Sequence, residues 1–251
     1  ARLLNPLIPE KEIMIDLDDS GPLDPMPVTC EFQHDVGTSV TRVHHANENP
    51  TLVKGYQEPG SYVRPIIYPA YREQFDELVD RSYACEQNIK WECMAARLLS
   101  EAGGNDPLKQ TWGWWVGRTN LNMHYWGGSS PGSRKCQCAL KNECRGQNPH
   151  CNCDAAQMAD DVSDEGLITQ KEHLPVMVLR FGDTGTFSQN KWGKHTLGPL
   201  RCTGDNLFDN VVTFRKADAT IEFESFDAAT SGDIRLQFKT TTENGIILQN
   251  T

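Results

Sequence analysis

Residues 136–153 read Cys136-Gln137-Cys138-Ala139-Leu140-Lys141-Asn142-Glu143-Cys144-Arg145-Gly146-Gln147-Asn148-Pro149-His150-Cys151-Asn152-Cys153, which is five cysteines in eighteen residues. Such density has two readings. In an oxidising space it is a set of disulfide staples, whereas in the cytosol it is a metal site or a reactive-thiol centre. A metal site would use Cys136, Cys138, Cys144, His150, Cys151 and Cys153. Zinc sites usually offer two C-x2-4-C hooks, so that both sulfurs of a hook reach one tetrahedral ion, and both hooks here are C-x-C. The spacing therefore favours staples, each expected to contribute about 2–4 kcal/mol by restricting the unfolded chain. The whole sequence holds nine cysteines, an odd number, so one sulfur is expected to find its partner elsewhere. Cys30 is that candidate, because 55 residues separate it from the next cysteine. The other eight, Cys85, Cys93, Cys136, Cys138, Cys144, Cys151, Cys153 and Cys202, allow 105 pairings, and spacing does not choose among them. The expectation joins Cys85 to Cys93, or sends one of the two to the cluster, with Cys202 closing onto the cluster.

Just before the cluster stand Trp112-Gly113-Trp114-Trp115-Val116-Gly117-Arg118 and Tyr125-Trp126-Gly127-Gly128. Glycine, proline, asparagine and serine crowd residues 103–153, so little regular structure is expected there, only loops anchored by aromatic rings and sulfur. Indoles bury large areas, which makes Trp114 and Trp115 candidate core residues; a sugar-stacking platform is the alternative. Tyr125 or Trp126 is the candidate exposed aromatic at a partner surface, where such residues tend to be hot spots. Residues 154–165 carry Asp154, Asp160, Asp161, Asp164 and Glu165 and no basic residue. They read as a solvated acidic connection, since the alternating oxygen ligands of a calcium loop are lacking.

Further out the patterns become regular. Ile13-Met14-Ile15-Asp16-Leu17 and Pro27-Val28-Thr29-Cys30-Glu31-Phe32 read as strands around an Asp18-Asp19-Ser20-Gly21-Pro22 turn. Tyr71, Phe75, Leu78, Val79 and Ser82-Tyr83 recur near the helical period after Pro69, giving a surface helix with one buried stripe. Ile89, Trp91 and Cys93 alternate with Asn88, Lys90 and Glu92 as in a half-buried strand, and residues 173–181 return to strand. After Thr213, residues 220–224 and 233–239 alternate without a fault, and Glu243-Asn244-Gly245 is a hairpin signal leading to Ile246-Ile247-Leu248. The fold class is therefore β-rich α+β, with a change of module near residue 213.

Charge and hydropathy exclude several classes. The net charge of -10 argues against a nucleic-acid partner, which draws on clustered lysine and arginine. Apolar runs such as 174–179 are far short of the roughly twenty residues a bilayer span needs, so no membrane insertion is expected within this segment. The first residues do not form a basic n-region and apolar h-region, and both ends are expected to be cuts through a longer chain. His44, His45, His124, His150, His173 and His195 are scattered, with no nucleophile elbow, HExxH or phosphate loop. No enzyme activity and no cofactor are expected. Of glycosylation sequons only the rare form Asn142-Glu143-Cys144 occurs, so glycosylation is not expected either.

Several motifs in fixed order carry a resemblance. Residues 15–30, from Ile15 through Gly21-Pro22 to Val28-Thr29-Cys30, resemble the opening hairpin of a fibrinogen-like domain. Cys85-Glu86-Gln87, Trp91-Glu92-Cys93, Arg97-Leu98-Leu99, Trp114-Trp115-Val116-Gly117-Arg118, Tyr125-Trp126-Gly127-Gly128, Cys151-Asn152-Cys153-Asp154-Ala155, His173-Leu174-Pro175-Val176 and Gly198-Pro199-Leu200-Arg201-Cys202 are similar to the central region of the neurexin IV and contactin-associated (Caspr) family. The resemblance covers nearly the whole chain. It implies a fibrinogen-like module over 1–212, Cys-rich from about 103 to 202, followed by the N-terminal part of a laminin G domain over 213–251. It also implies that Cys30 pairs with a cysteine about thirty residues upstream of it. The sequence departs from the pattern at Asp19, where the family has glycine, and it lacks the acidic D-x-D loop of calcium-binding fibrinogen domains. By the same resemblance the parent is a single-pass cell-surface adhesion protein of septate or axo-glial type junctions, with contactin-like immunoglobulin proteins as partners. A secreted matrix or lectin-like protein that binds glycans through the same modules is the alternative.

Overall fold

Residues 84–94, ACEQNIKWECM, bury every second side chain, and three strands of the larger sheet pair along the edges of this strand. The computed structural model describes residues 12–33, 38–101, 110–146, 149–156 and 162–204. In chain order the strands are β1 (Glu12–Ile15), β2 (Met26–Gln33), β3 (Thr38–Val43), β4 (Thr51–Val53), β5 (Tyr62–Pro65), β6 (Ala84–Met94), β7 (Trp114–Gly117), β8 (Asn122–Met123), β9 (Val162–Ile168), β10 (Val176–Phe181), β11 (Trp192–Leu197) and β12 (Leu200–Thr203). Helix α1 (Arg72–Arg81) precedes β6, and the short α2 (Gln137–Lys141) lies in the cysteine cluster. The chain separates into two compact units, Ala1–Asp209 and Asn210–Thr251. The strands expected at 220–224, 233–239 and 246–248 lie outside the described residues.

Eight strands form an antiparallel sheet in the order β1-β2-β3-β12-β6-β11-β4, with β9 also paired to β6. A second antiparallel sheet runs β5-β10-β7-β8. On β6, residues Gln87 to Cys93 pair with β9 along one edge. The other edge takes β11 at Ile89 to Met94 and β12 at Ala84 to Glu86. Between β11 and β12 the register slips by one residue at Gly198-Pro199, a bulge whose Gly198 N–H still reaches Asn88 O at 2.9 Å. Gln87 lies on the buried face of β6 and is fully satisfied there. Its Oε1 accepts the Val176 N–H at 2.9 Å, and its Nε2 donates to Gly198 O at 2.8 Å and to the Tyr68 hydroxyl at 2.9 Å. A buried amide left short of partners would cost about 1–3 kcal/mol, so this side chain fixes how β6 meets β10.

The core is aromatic. Trp91 stacks on Phe181 with ring centroids 4.0 Å apart, and Phe181 stacks in turn on His195. Gly193 makes this possible, since a Cβ there would fall 1.9 Å from the Trp91 ring. The outer face of the same strands carries a charge ladder in which Glu86 meets Arg201, Lys90 meets Glu165, and Glu92 meets Lys194. Helix α1 buries Gln74, Phe75, Leu78 and Val79, the expected stripe. Tyr71 and Tyr83 fall just outside the helix and are exposed. Trp114 to Gly117 departs from the loop expectation: it is strand β7, buried at all four positions between β10 and β8. A continuous apolar run is how a strand covered on both faces reads, and the glycines around it obscure that signal.

Candidate functional site

The four disulfides are Cys85–Cys202, Cys93–Cys153, Cys136–Cys151 and Cys138–Cys144. Each bridge lies inside the loop closed by the previous one, so the set is concentric. The expected Cys85–Cys93 bridge does not form. Both residues lie on β6, eight positions apart, and at about 3.3 Å per residue that is about 26 Å, several times what a disulfide spans. Cys202 closes onto Cys85, its register partner across β12 and β6, instead of onto the cluster. Cys93 is the one that reaches the cluster, through Cys153. Cys30 is the ninth cysteine, on β2 opposite Thr41.

The cluster is seated on the large sheet by a carboxylate. Asp164, on β9, is 3% exposed; its Oδ1 accepts the Asn152 N–H and its Oδ2 the Cys153 N–H, each at 2.9 Å. Burial pushes its pKa up to about 6, against those two hydrogen bonds. Asp154 turns inward too, its Oδ1 accepting the Leu98 and Leu99 N–H groups at 2.8 and 3.1 Å, and burial raises its pKa. The solvated acidic connection is thus corrected at both ends, because these carboxylates serve as acceptors for backbone that would otherwise be buried without partners. Residues 157–161 between them lie outside the described residues.

Tyr125 and Trp126, expected at a partner surface, are instead 1% and 0% exposed. The Trp126 Nε1 donates to Asp164 O at 3.0 Å, and the Tyr125 hydroxyl donates to Gln170 Oε1 at 3.2 Å. The turn that carries them lies flat on β9: a Cβ on Gly127 would come 2.1 Å from Gly166 O. Two facing glycines let the backbones touch and draw Trp126 inside. A lectin platform built on Trp126 has no accessible ring.

Among the described residues, one group has metal-ligand proximity, Cys136, Cys151 and Asp164. Its two sulfurs are bonded to each other, and a disulfide offers no thiolate to a zinc ion. Four of the described histidines, His44, His45, His124 and His195, make contacts within the fold. His195 is fully buried and meets the Tyr62 hydroxyl at 3.0 Å, and burial lowers its pKa to about 4. His45 meets Gly198 O at 3.1 Å. Thr111 donates its hydroxyl to Gly113 O at 2.8 Å, so toward His124 Nδ1, also at 2.8 Å, it presents a lone pair and the ring donates. That is the reverse of what a general base does to a nucleophile. His44 pairs with Glu48 at the surface.

A β-rich unit closed by four disulfides fits an oxidising compartment. The chain is 48% identical over 240 residues to Neurexin-4 of Drosophila melanogaster, an alignment covering 94% of this chain and 18% of that protein. It is homologous to that segment of Neurexin-4, and it spans under a fifth of the relative's length. No protein-family model matches the chain. Among the described residues, no helix is long and apolar enough to cross a membrane.

Proposed function

We propose that the chain is an extracellular adhesion or scaffold segment of a cell-surface protein, acting by presenting a rigid surface to other proteins. The homology to Neurexin-4 carries this reading. The concentric disulfides support it, because they hold a surface in place without leaving a reactive thiol among their eight cysteines. In this reading residues 1–212 are a fibrinogen-like module and 213–251 begin a laminin G domain. The parent is a single-pass membrane protein at a cell junction, Cys30 pairs with a sulfur upstream, and the partners are contactin-like immunoglobulin proteins.

The test presents the oxidised chain to immobilised contactin-type ectodomains and, in parallel, to a glycan array. Saturable binding to the ectodomain that survives enzymatic deglycosylation of the partner is the expected result. Binding to glycans alone would replace this reading with the lectin-like matrix protein, and binding to neither would remove both.

A further inference from the structure

Phe187 stands at the tip of residues 185–190, between β10 and β11, with 78% of its surface exposed. The ring packs over Gly55, where a Cβ would come within 2.7 Å of Cε2 and where φ is +88°, so glycine suits this position on both counts. The tip is built in advance of any partner. Gln189 Oε1 accepts the Thr186 N–H at 2.9 Å, and the Gln189 N–H donates to Thr186 O at 3.1 Å. Below it the buried Asp183 accepts the Arg97 N–H at 2.9 Å and pairs with the Lys191 ammonium. The facing segment is joined to the same loop through Tyr56 N–H to Thr184 Oγ1 at 3.0 Å and Thr184 N–H to Tyr56 O at 2.8 Å. Between the two segments is an open, shallow cleft lined by Tyr56, Gln57, Glu58, Ser61, Thr186 and Phe187.

The lining is aromatic and rich in acceptors. Glu58 is the one formal charge in it, and among the described residues no cation neutralises that carboxylate. The Ser61 hydroxyl donates its proton to Glu58 O at 2.8 Å and so offers lone pairs to the cleft. The chain as a whole carries -10. An anionic glycan would set its charge against Glu58 and against this field, whereas a cation is attracted by both. Between the two cationic side chains, arginine has the planar, weakly hydrated guanidinium that stacks on rings and meets a carboxylate with a fork of N–H donors. The fold uses this pairing next door, where the Arg180 guanidinium lies 5.9 Å from the centroid of the Trp114 ring that covers Gly60.

We propose that this cleft receives an arginine side chain of a protein partner, with the guanidinium against the Phe187 and Tyr56 rings and its N–H fork on the Glu58 carboxylate. The inference rests on the reading of the chain as a protein-binding surface and says where one anchor of that contact falls. The experiment is a solution NMR titration of the isotopically labelled full chain with N-acetyl-arginine amide, its lysine and citrulline counterparts, and methyl glucoside. The arginine probe is expected to give saturable shifts confined to 55–61 and 185–188. The lysine probe should bind at least threefold more weakly, and citrulline and the glucoside should leave the spectrum unchanged. Phe187→Ala and Glu58→Gln, both at exposed side chains, are each expected to weaken the arginine probe at least threefold while the remaining resonances stay in place. Shifts scattered over the surface, equal binding of citrulline or the glucoside, or an unaltered response in Glu58→Gln would overturn it. Because the probe is no particular partner, the titration succeeds or fails separately from the ectodomain binding test above.

Discussion

Replacing both members of the outermost bridge, Cys85→Ala with Cys202→Ala, and comparing the result with Cys138→Ala plus Cys144→Ala tests whether concentric loop closure stabilises this fold. Cys85 and Cys202 are 117 residues apart and Cys93 and Cys153 are 60 apart. With the inner bridge intact, the outer one closes only the difference, about 57 residues. Chain entropy then gives about 4 kcal/mol for the outermost bridge. The innermost bridge spans 6 residues, and the same relation gives about 2 kcal/mol. Packing acts in the same direction, since Cys85 and Cys202 are each 2% exposed while Cys138 and Cys144 are half-buried. Urea unfolding followed by tryptophan fluorescence measures the difference. At a slope of about 2 kcal/mol per molar, the two variants should differ in midpoint by about 1 M. Equal midpoints, or a less stable inner variant, would refute the loop-entropy reasoning and place the contribution of the bridges in native-state contacts.

Three further outcomes follow from the site. Asp164 has a raised pKa of about 6, so between its ordinary value near 3.9 and pH 6 the folded state holds the extra proton and Asp164 makes stability fall as pH rises. His195, lowered to about 4, is protonated first in the unfolded chain and makes stability rise with pH over about 4 to 6.5. The two slopes oppose, so Asp164→Asn should make stability climb more steeply with pH between about 4 and 6 than in the parent. Urea midpoints with the same pH slope as the parent would sink this account. Gly166→Ala puts a Cβ 2.4 Å from the backbone of Gly127, and since backbone cannot give way as a side chain does, a loss of about 3 kcal/mol or more is expected; a shift below about 1 kcal/mol in chemical denaturation would contradict the contact. Trp126→Ala should destabilise the unit by about 3–5 kcal/mol, as for any large buried ring, and a variant with parental stability but lost partner binding would return Trp126 to the surface.

Local pattern accounts for what was legible. The alternation at Ile89, Trp91 and Cys93 gave strand β6 and its buried face, and the recurrence at Phe75, Leu78 and Val79 gave α1, because both depend on periods of a few residues. The C-x-C spacing was enough to set zinc aside in favour of disulfides. Where composition misled, it did so at long-range contacts. Trp126 and Asp164 sit in stretches that look exposed, one beside glycines and the other among acids. Both lie beside a close backbone contact, Gly127 against Gly166, between segments 39 positions apart. Asp164 then becomes the acceptor that two cluster N–H groups need.

The amino-acid sequence by itself determined the β-rich class, the oxidising compartment, the core position of Trp114 and Trp115 and the faces of individual elements, since each follows from spacing or chemistry within one segment. Only the tertiary structure decided which of 105 pairings joins the eight cysteines, which carboxylates turn inward, and that Trp126 is buried while Phe187 stands in solvent. The physical reason is register. A strand's period says which side chains share a face, but the partner that face meets is set by hydrogen-bonded pairing across the sheet. That pairing brings Cys202 opposite Cys85 and Gly193 beneath Trp91.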